Sequence, residues 1–131
     1  MIGLDTNVLV RYCVRDDPEQ AAKATDIIEQ GLSEHEFAYI NLVVLVETVW
    51  VLQRVYRLTD QEIAAFLERM LQADRLRVEN EQQVFEAMLA VKEGNGRFTD
   101  ALIGTINAAA GCAHTATFDR KAGRLPGFAV I

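Results

Sequence analysis

Four acidic side chains stand where ordinary surface chemistry explains them least. Asp5 ends the short apolar run Ile2, Gly3, Leu4, and Glu47 shares with Thr48 the only polar positions between Leu42 and Leu52. Asp100 and Asp119 are the only acids after Glu93. A carboxylate set among apolar residues is strongly unfavourable without a partner and tends to take up a proton. For Glu47 the compensation could be an ion pair with Arg11, Arg15 or Arg97, exposure at a helix flank, or a metal ion. For Asp100 and Asp119, helix capping or a surface ion pair is the plain alternative. If the four converge on one pocket, each pair of carboxylates about 4 Å apart repels by roughly 4 kcal/mol at an effective dielectric of about 20. Such a cluster needs a cation. Oxygen donors without a Cys or His set select Mg²⁺ or Mn²⁺, with water completing the shell.

The elements that must position these acids alternate between strand and helix. Ile2 to Asp5 reads as a strand, with Thr6 or Asn7 capping a helix from Val8. Asp17 and Pro18 start a second helix that Gly31 ends. Phe37 to Ile40 is the next strand, and Asn41 caps an apolar helix running to about Arg57. Thr59, Asp60, Gln61 and Glu62 fit a capping box, followed by the amphipathic stripe Ile63, Phe66, Leu67, Met70 and Leu71. Leu76 to Val78 is a short strand and Glu81 to Glu93 a helix closed by Gly94, Asn95 and Gly96. Thr99 can cap the next helix, with Leu102, Ile103 and Ile106 as its buried stripe and Gly104, Ala108 and Gly111 allowing close packing. Thr115 to Phe118 and Phe128 to Ile131 are the last strands. The expected fold is α/β, a mostly parallel central sheet of about five strands with helices on both faces. In such folds ligands lie beyond the carboxyl ends of the strands, where Asp5 and Asp119 fall. Period-two alternation puts Thr117 on the same side as Asp119.

The chain has 131 residues, 19 acidic and 13 basic, for a net charge of −6. That length predicts one domain over residues 1–131. The acidic balance opposes non-specific attraction to a polyanion, so nucleic-acid chemistry has to come from a local site. The longest stretch without a charge, Ala101 to Phe118, carries too many polar residues for a membrane span. Met1 leads directly into the first strand without a basic and apolar leader, so a cytoplasmic protein is expected. Cys13 and Cys112 form no C-x-x-C pair and read as reduced, buried thiols.

Asp5-Thr6-Asn7-Val8-Leu9, Glu47 in an apolar helix, Asp100-Ala101-Leu102-Ile103, and Thr117-Phe118-Asp119 ahead of Arg124-Leu125-Pro126-Gly127 together resemble the PIN-domain ribonucleases. More narrowly, the chain is similar to the VapC-type toxins of toxin-antitoxin pairs, over essentially its whole length and in the family's motif order. The resemblance implies a single PIN domain acting as a metal-dependent endoribonuclease that hydrolyses RNA phosphodiester bonds with a metal-activated water. Its metal-binding acids would be Asp5, Glu47, Asp100 and Asp119, with Mg²⁺ or Mn²⁺ as cofactor. Thr6 and Thr117 would help order the water or a carboxylate. Many such toxins carry a further acid where this chain has Arg97, so a second full metal site is not implied. Arg11, Arg15, Lys92, Arg97, Arg120, Lys121 and Arg124 are candidates for contacting the RNA backbone, with solvated surface as the alternative for each. A homodimer and a small antitoxin covering the site are the implied partners, and no membrane is involved.

Rival chemistries fit less well. A haloacid-type phosphatase needs an acid where Asn7 stands, and a phosphate-receiver domain needs a mid-chain acid after a strand. His35-Glu36 begins like a zinc H-E-x-x-H motif but ends in Tyr39, His114 is isolated, and no glycine-rich phosphate cradle is present. The other reading is a PIN-like binding module that has lost catalysis.

Overall fold

The computed structural model describes residues 1–33 and 35–131. By contact density the chain divides into two compact units, residues 1–58 with 70–79 and residues 59–69 with 80–131.

The first unit contains strand β1 (Ile2–Gly3), helix α1 (Thr6–Cys13), helix α2 (Pro18–Thr25) continued by a π-helical turn (Asp26–Gln30), strand β2 (Ala38–Ile40), helix α3 (Leu42–Arg54) and strand β3 (Leu76–Val78). The strands run parallel in the order β1-β2-β3, with Ile2 opposite Ala38 and Ala38 opposite Leu76. Ala38 and Ile40 of the middle strand are wholly buried, as a parallel strand covered by helices requires. The helix starts are set by side chains that take otherwise unpaired backbone N–H groups. Asp17 Oδ1 accepts from Gln20 N at 3.1 Å with Pro18 in the first turn. Asn41 Oδ1 accepts from Val44 N at 2.8 Å, and Glu79 Oε1 accepts from Leu42 N at 2.8 Å, so α3 is capped twice. Leu9, Val10, Leu45, Val49 and Leu52 fill the core beneath these helices. Thr48 is buried among them with a hydroxyl that has no hydrogen-bond partner among the described residues.

The second unit contains residues 60–69 of helix α4 (Asp60–Gln72), helix α5 (Glu81–Lys92), helix α6 (Phe98–Ala109), strand β4 (Thr115–Thr117), a 3-10 turn (Ala122–Arg124) and strand β5 (Phe128–Val130). The expected capping box is present. Thr59 Oγ1 accepts from Glu62 N at 3.1 Å while Glu62 Oε1 accepts from Thr59 N at 3.0 Å. Ile63, Phe66 and Leu67 are buried along one stripe. Helices α5 and α6 pack against each other, and β4 and β5 pair in parallel with Thr115 opposite Phe128. Gly104 lets β5 approach α6, because a Cβ there would lie 2.6 Å from Phe128 Cε2.

The α/β class and five parallel strands agree with the sequence pattern, but their ladders are split into a three-stranded and a two-stranded sheet. Strands of two or three residues carry few ladder bonds, so hydropathy marks them as extended without fixing which edges pair. Two helices also begin earlier than expected. Helix α1 starts at Thr6 with Asp5 in the cap position, and α6 starts at Phe98 with Arg97 in the cap position. In α6 the buried face is Phe98, Ala101 and Leu102, while Ile103 is 44% exposed. Gly111 serves a turn rather than helix packing, with φ at +94° and nothing near its absent Cβ. Cys13 and Cys112 form no disulfide, as expected, but both are exposed rather than buried.

Candidate functional site

The second unit holds a cavity of about 620 Å³. Its charged lining consists of Asp60, Asp100 and Asp119 against Arg97, Lys121 and Arg124. Asp100 reaches it from the first turn of α6, where the partial positive charge of the helix N-terminus favours a carboxylate. The wholly buried Phe98 anchors that turn. Asp100 is half-buried and has no hydrogen bond or ion pair among the described residues. The other partly buried acids, Asp17, Glu36, Asp60, Glu68 and Glu79, all have partners.

Asp119 reaches the same cavity from the turn after β4. Its Oδ1 accepts from Lys121 N at 2.8 Å and from Ala122 N at 3.4 Å. Its own backbone N–H donates to Thr117 Oγ1 at 3.0 Å. Thr117 thus fixes the Asp119 backbone and is absent from the cavity wall. One oxygen of Asp119, Oδ2, keeps no protein partner among the described residues. An unpartnered Asp100 and a half-used Asp119 on the wall of one cavity offer oxygen donors alone. That donor chemistry suits a Mg²⁺-like ion, which takes one or two carboxylates and retains water.

Asp5 and Glu47 lie in the first unit. Asp5 occupies the α1 cap position with φ −87° and ψ 160°, yet its side chain makes no capping bond and is exposed. Thr6 directly follows it and is buried. Of the alternatives for Glu47, the structure shows exposure at a helix flank rather than enclosure by apolar residues. Val44, Leu45, Thr48, Val49 and Leu52 form the buried face of α3. Glu47 lies on the outer stripe with Val43 and Trp50, which are 78% and 55% exposed. Within either unit taken by itself, no three Asp, Glu, His or Cys side chains among the described residues gather closely enough to hold a metal ion.

The expected phosphate contacts separate on the same grounds. Arg97 and Lys121 line the cavity, while Arg120 is exposed outside its lining. Arg15 lies over the Tyr12 ring, 5.9 Å from its centroid. Arg11 is occupied within the first unit. Its Nη1 donates to Asp16 Oδ1 at 2.9 Å and Tyr56 Oη at 3.0 Å, and its Nε donates to Gln20 Oε1 at 2.8 Å. Tyr56 Oη in turn donates to Asp16 Oδ2 at 2.8 Å.

The Tyr56 hydrogen bond, aided by the Arg11 charge, holds the Asp16 carboxyl below its ordinary range. A carboxylate depressed in this way contributes stability above its unfolded pKa and loses it as pH falls through the folded one. Tyr56→Phe is therefore expected to lower the melting temperature at neutral pH, by an amount that shrinks as the solution is acidified below the usual carboxylate range. Thermal scans across pH check this, and a gap independent of pH contradicts it.

Asp60, Gln61 and Asn95 also line the cavity and were not singled out in the sequence. Asp60 looked like a residue of the capping box, and nothing in its sequence context separates the two roles.

The PIN domain family model matches residues 2–127, and the chain belongs to that family. PIN domains are in general nucleases that use divalent metal ions. A search of the curated proteins finds no match. No helix among the described residues is long and apolar enough to cross a membrane.

Proposed function

We propose that this chain is a metal-dependent endoribonuclease, the toxin of a type II toxin-antitoxin pair of the VapC kind, acting in the cytoplasm as one domain over residues 1–131. The observation that carries the nuclease reading is Asp100, a half-buried carboxylate with no protein partner among the described residues, lining one cavity with Asp119 and three bases. Asp5, Glu47, Asp100 and Asp119 are assigned to hold Mg²⁺ or Mn²⁺. For Asp5 and Glu47 the assignment rests on the ordered family motifs. When bound, the ion supplies Lewis acidity toward water and phosphoryl oxygen.

The chain's own groups do the rest. Asp100 and the remaining oxygen of Asp119 can accept a proton or a cation. Thr117 positions Asp119 through its backbone, and Thr6, which directly follows Asp5, is buried. Arg97 and Lys121 can orient the phosphate by charge, with Arg15 and Arg120 as outer contacts. Arg11 could reach a phosphate only through Nη2, because Gln20 holds its Nε and Asp16 and Tyr56 hold its Nη1. The motif resemblance and the exposed apolar flank of α3, with Val55 61% exposed beyond Val43 and Trp50, support a homodimer and an antitoxin as partners.

The test is incubation of the purified protein with end-labelled RNA and Mn²⁺, with and without a chelator. Internal cuts that disappear on chelation support the proposal. RNA that is bound and left intact under both conditions favours the inactive binding module.

A further inference from the structure

Phe118 stands between the two residues that build the Asp119 turn, and at 83% it is the most exposed of the large apolar side chains. Leaving a whole aromatic ring in water forfeits the stabilisation that burial would give, and here the ring stands next to the exposed cations Arg120 and Lys121. The backbone that carries Phe118 is held in place. The Thr117 hydroxyl takes the Asp119 N–H on one side of it, and Asp119 Oδ1 takes the Lys121 N–H on the other. Its face is also open. Among the described residues, Trp50 and Tyr12 have arginines over their rings at 5.5 and 5.9 Å, whereas no cation covers Phe118. Arg120 and Lys121 follow two and three residues later, and no acid comes after Asp119.

We propose that Phe118 is a stacking platform for one unstacked base of a single-stranded RNA, setting the adjoining phosphate toward Asp119 and Lys121. An aromatic face beside exposed cations is the combination by which proteins track single strands, since every base offers a π-face and every linkage a negative charge. Phe118 is thus a positioning residue for the substrate, and it touches a base rather than the reacting phosphorus. The inference rests on the RNA-cleaving reading above.

The experiment uses the whole chain in a chelator, so that binding is read without cleavage. The probe is a short single-stranded RNA carrying a fluorescent purine analogue whose emission is quenched by stacking. Wild type is expected to bind and quench. Phe118→Ala is expected to bind about tenfold or more weaker and lose the quench, and Phe118→Trp to restore both. Equal binding and quenching in wild type and Phe118→Ala overturn the platform while leaving the nuclease reading intact. No RNA binding by wild type, together with no cleavage in Mn²⁺, overturns the nuclease reading itself. A change of oligomeric state in Phe118→Ala by sedimentation, without a change in RNA binding, assigns the ring to a protein interface and also overturns the platform.

Discussion

Replacing Asp100 by Asn is expected to slow RNA cleavage by roughly a thousandfold while the protein stays folded. A bound divalent ion contributes several kcal/mol of transition-state stabilisation, and losing about 4 kcal/mol corresponds to about three powers of ten in rate. Asn keeps the size of the side chain and one carbonyl oxygen but removes the charge that holds a cation. The cost to the fold is small because Asp100 makes no hydrogen bond or ion pair among the described residues. Its favourable contact with the α6 N-terminus, about 0.5 kcal/mol, is the main loss. Single-turnover cleavage and thermal unfolding on the same preparation separate the two effects. A variant that cuts RNA at the wild-type rate removes Asp100 from the site.

Phe98→Ala is expected to do the reverse, damaging the fold first. Phe98 is the first residue of α6 and wholly buried, two positions before Asp100. Truncating a buried Phe to Ala costs about 3–5 kcal/mol through lost transfer energy and the cavity left behind. Domains of this kind hold only about 5–15 kcal/mol in total. The melting temperature should fall by on the order of 10 °C or more. Activity at low temperature should survive in the fraction that stays folded, because Phe98 is not in the cavity lining. A fall of only a degree or two would mean that this turn is not anchored by the buried ring.

Much of the architecture was legible because local chemistry dictates it. Asn41, Asp17 and the Thr59 to Glu62 box cap helices as their types and spacings imply. The stripe from Ile63 to Leu67 is buried at the expected helical spacing. The failures share one cause, which is that a pattern without contrast has no direction. Helix α3 is apolar almost all round, so hydropathy could not say that the flank of Val43, Glu47 and Trp50 faces outward. The same lack of contrast leaves enclosure and flank exposure both open for Glu47 in the sequence. At α1 and α6 the preferred capping types, Thr6 and Thr99, lie just inside the helix, and the cap positions go to Asp5 and Arg97, whose side chains do not cap. At Asp5 the carboxylate is thereby left unspent. In the site, Asp100 and Asp119 were found by their isolation among basic and apolar neighbours, and the structure brings both to one cavity. The engagement of Arg11 with Asp16 and Tyr56 depends on partners up to 45 residues away, which one sequence does not pair.

The central claim is that acids from distant parts of the chain hold one divalent ion. Asp5 and Asp100 belong to different compact units, so their variants test it independently. Mn²⁺ binding to wild type, Asp5→Asn and Asp100→Asn, read from the electron paramagnetic resonance signal of free Mn²⁺, is the direct measurement. The account predicts that wild type takes up the ion and that each substitution alone sharply weakens its uptake. Undiminished Mn²⁺ binding in either variant would contradict it.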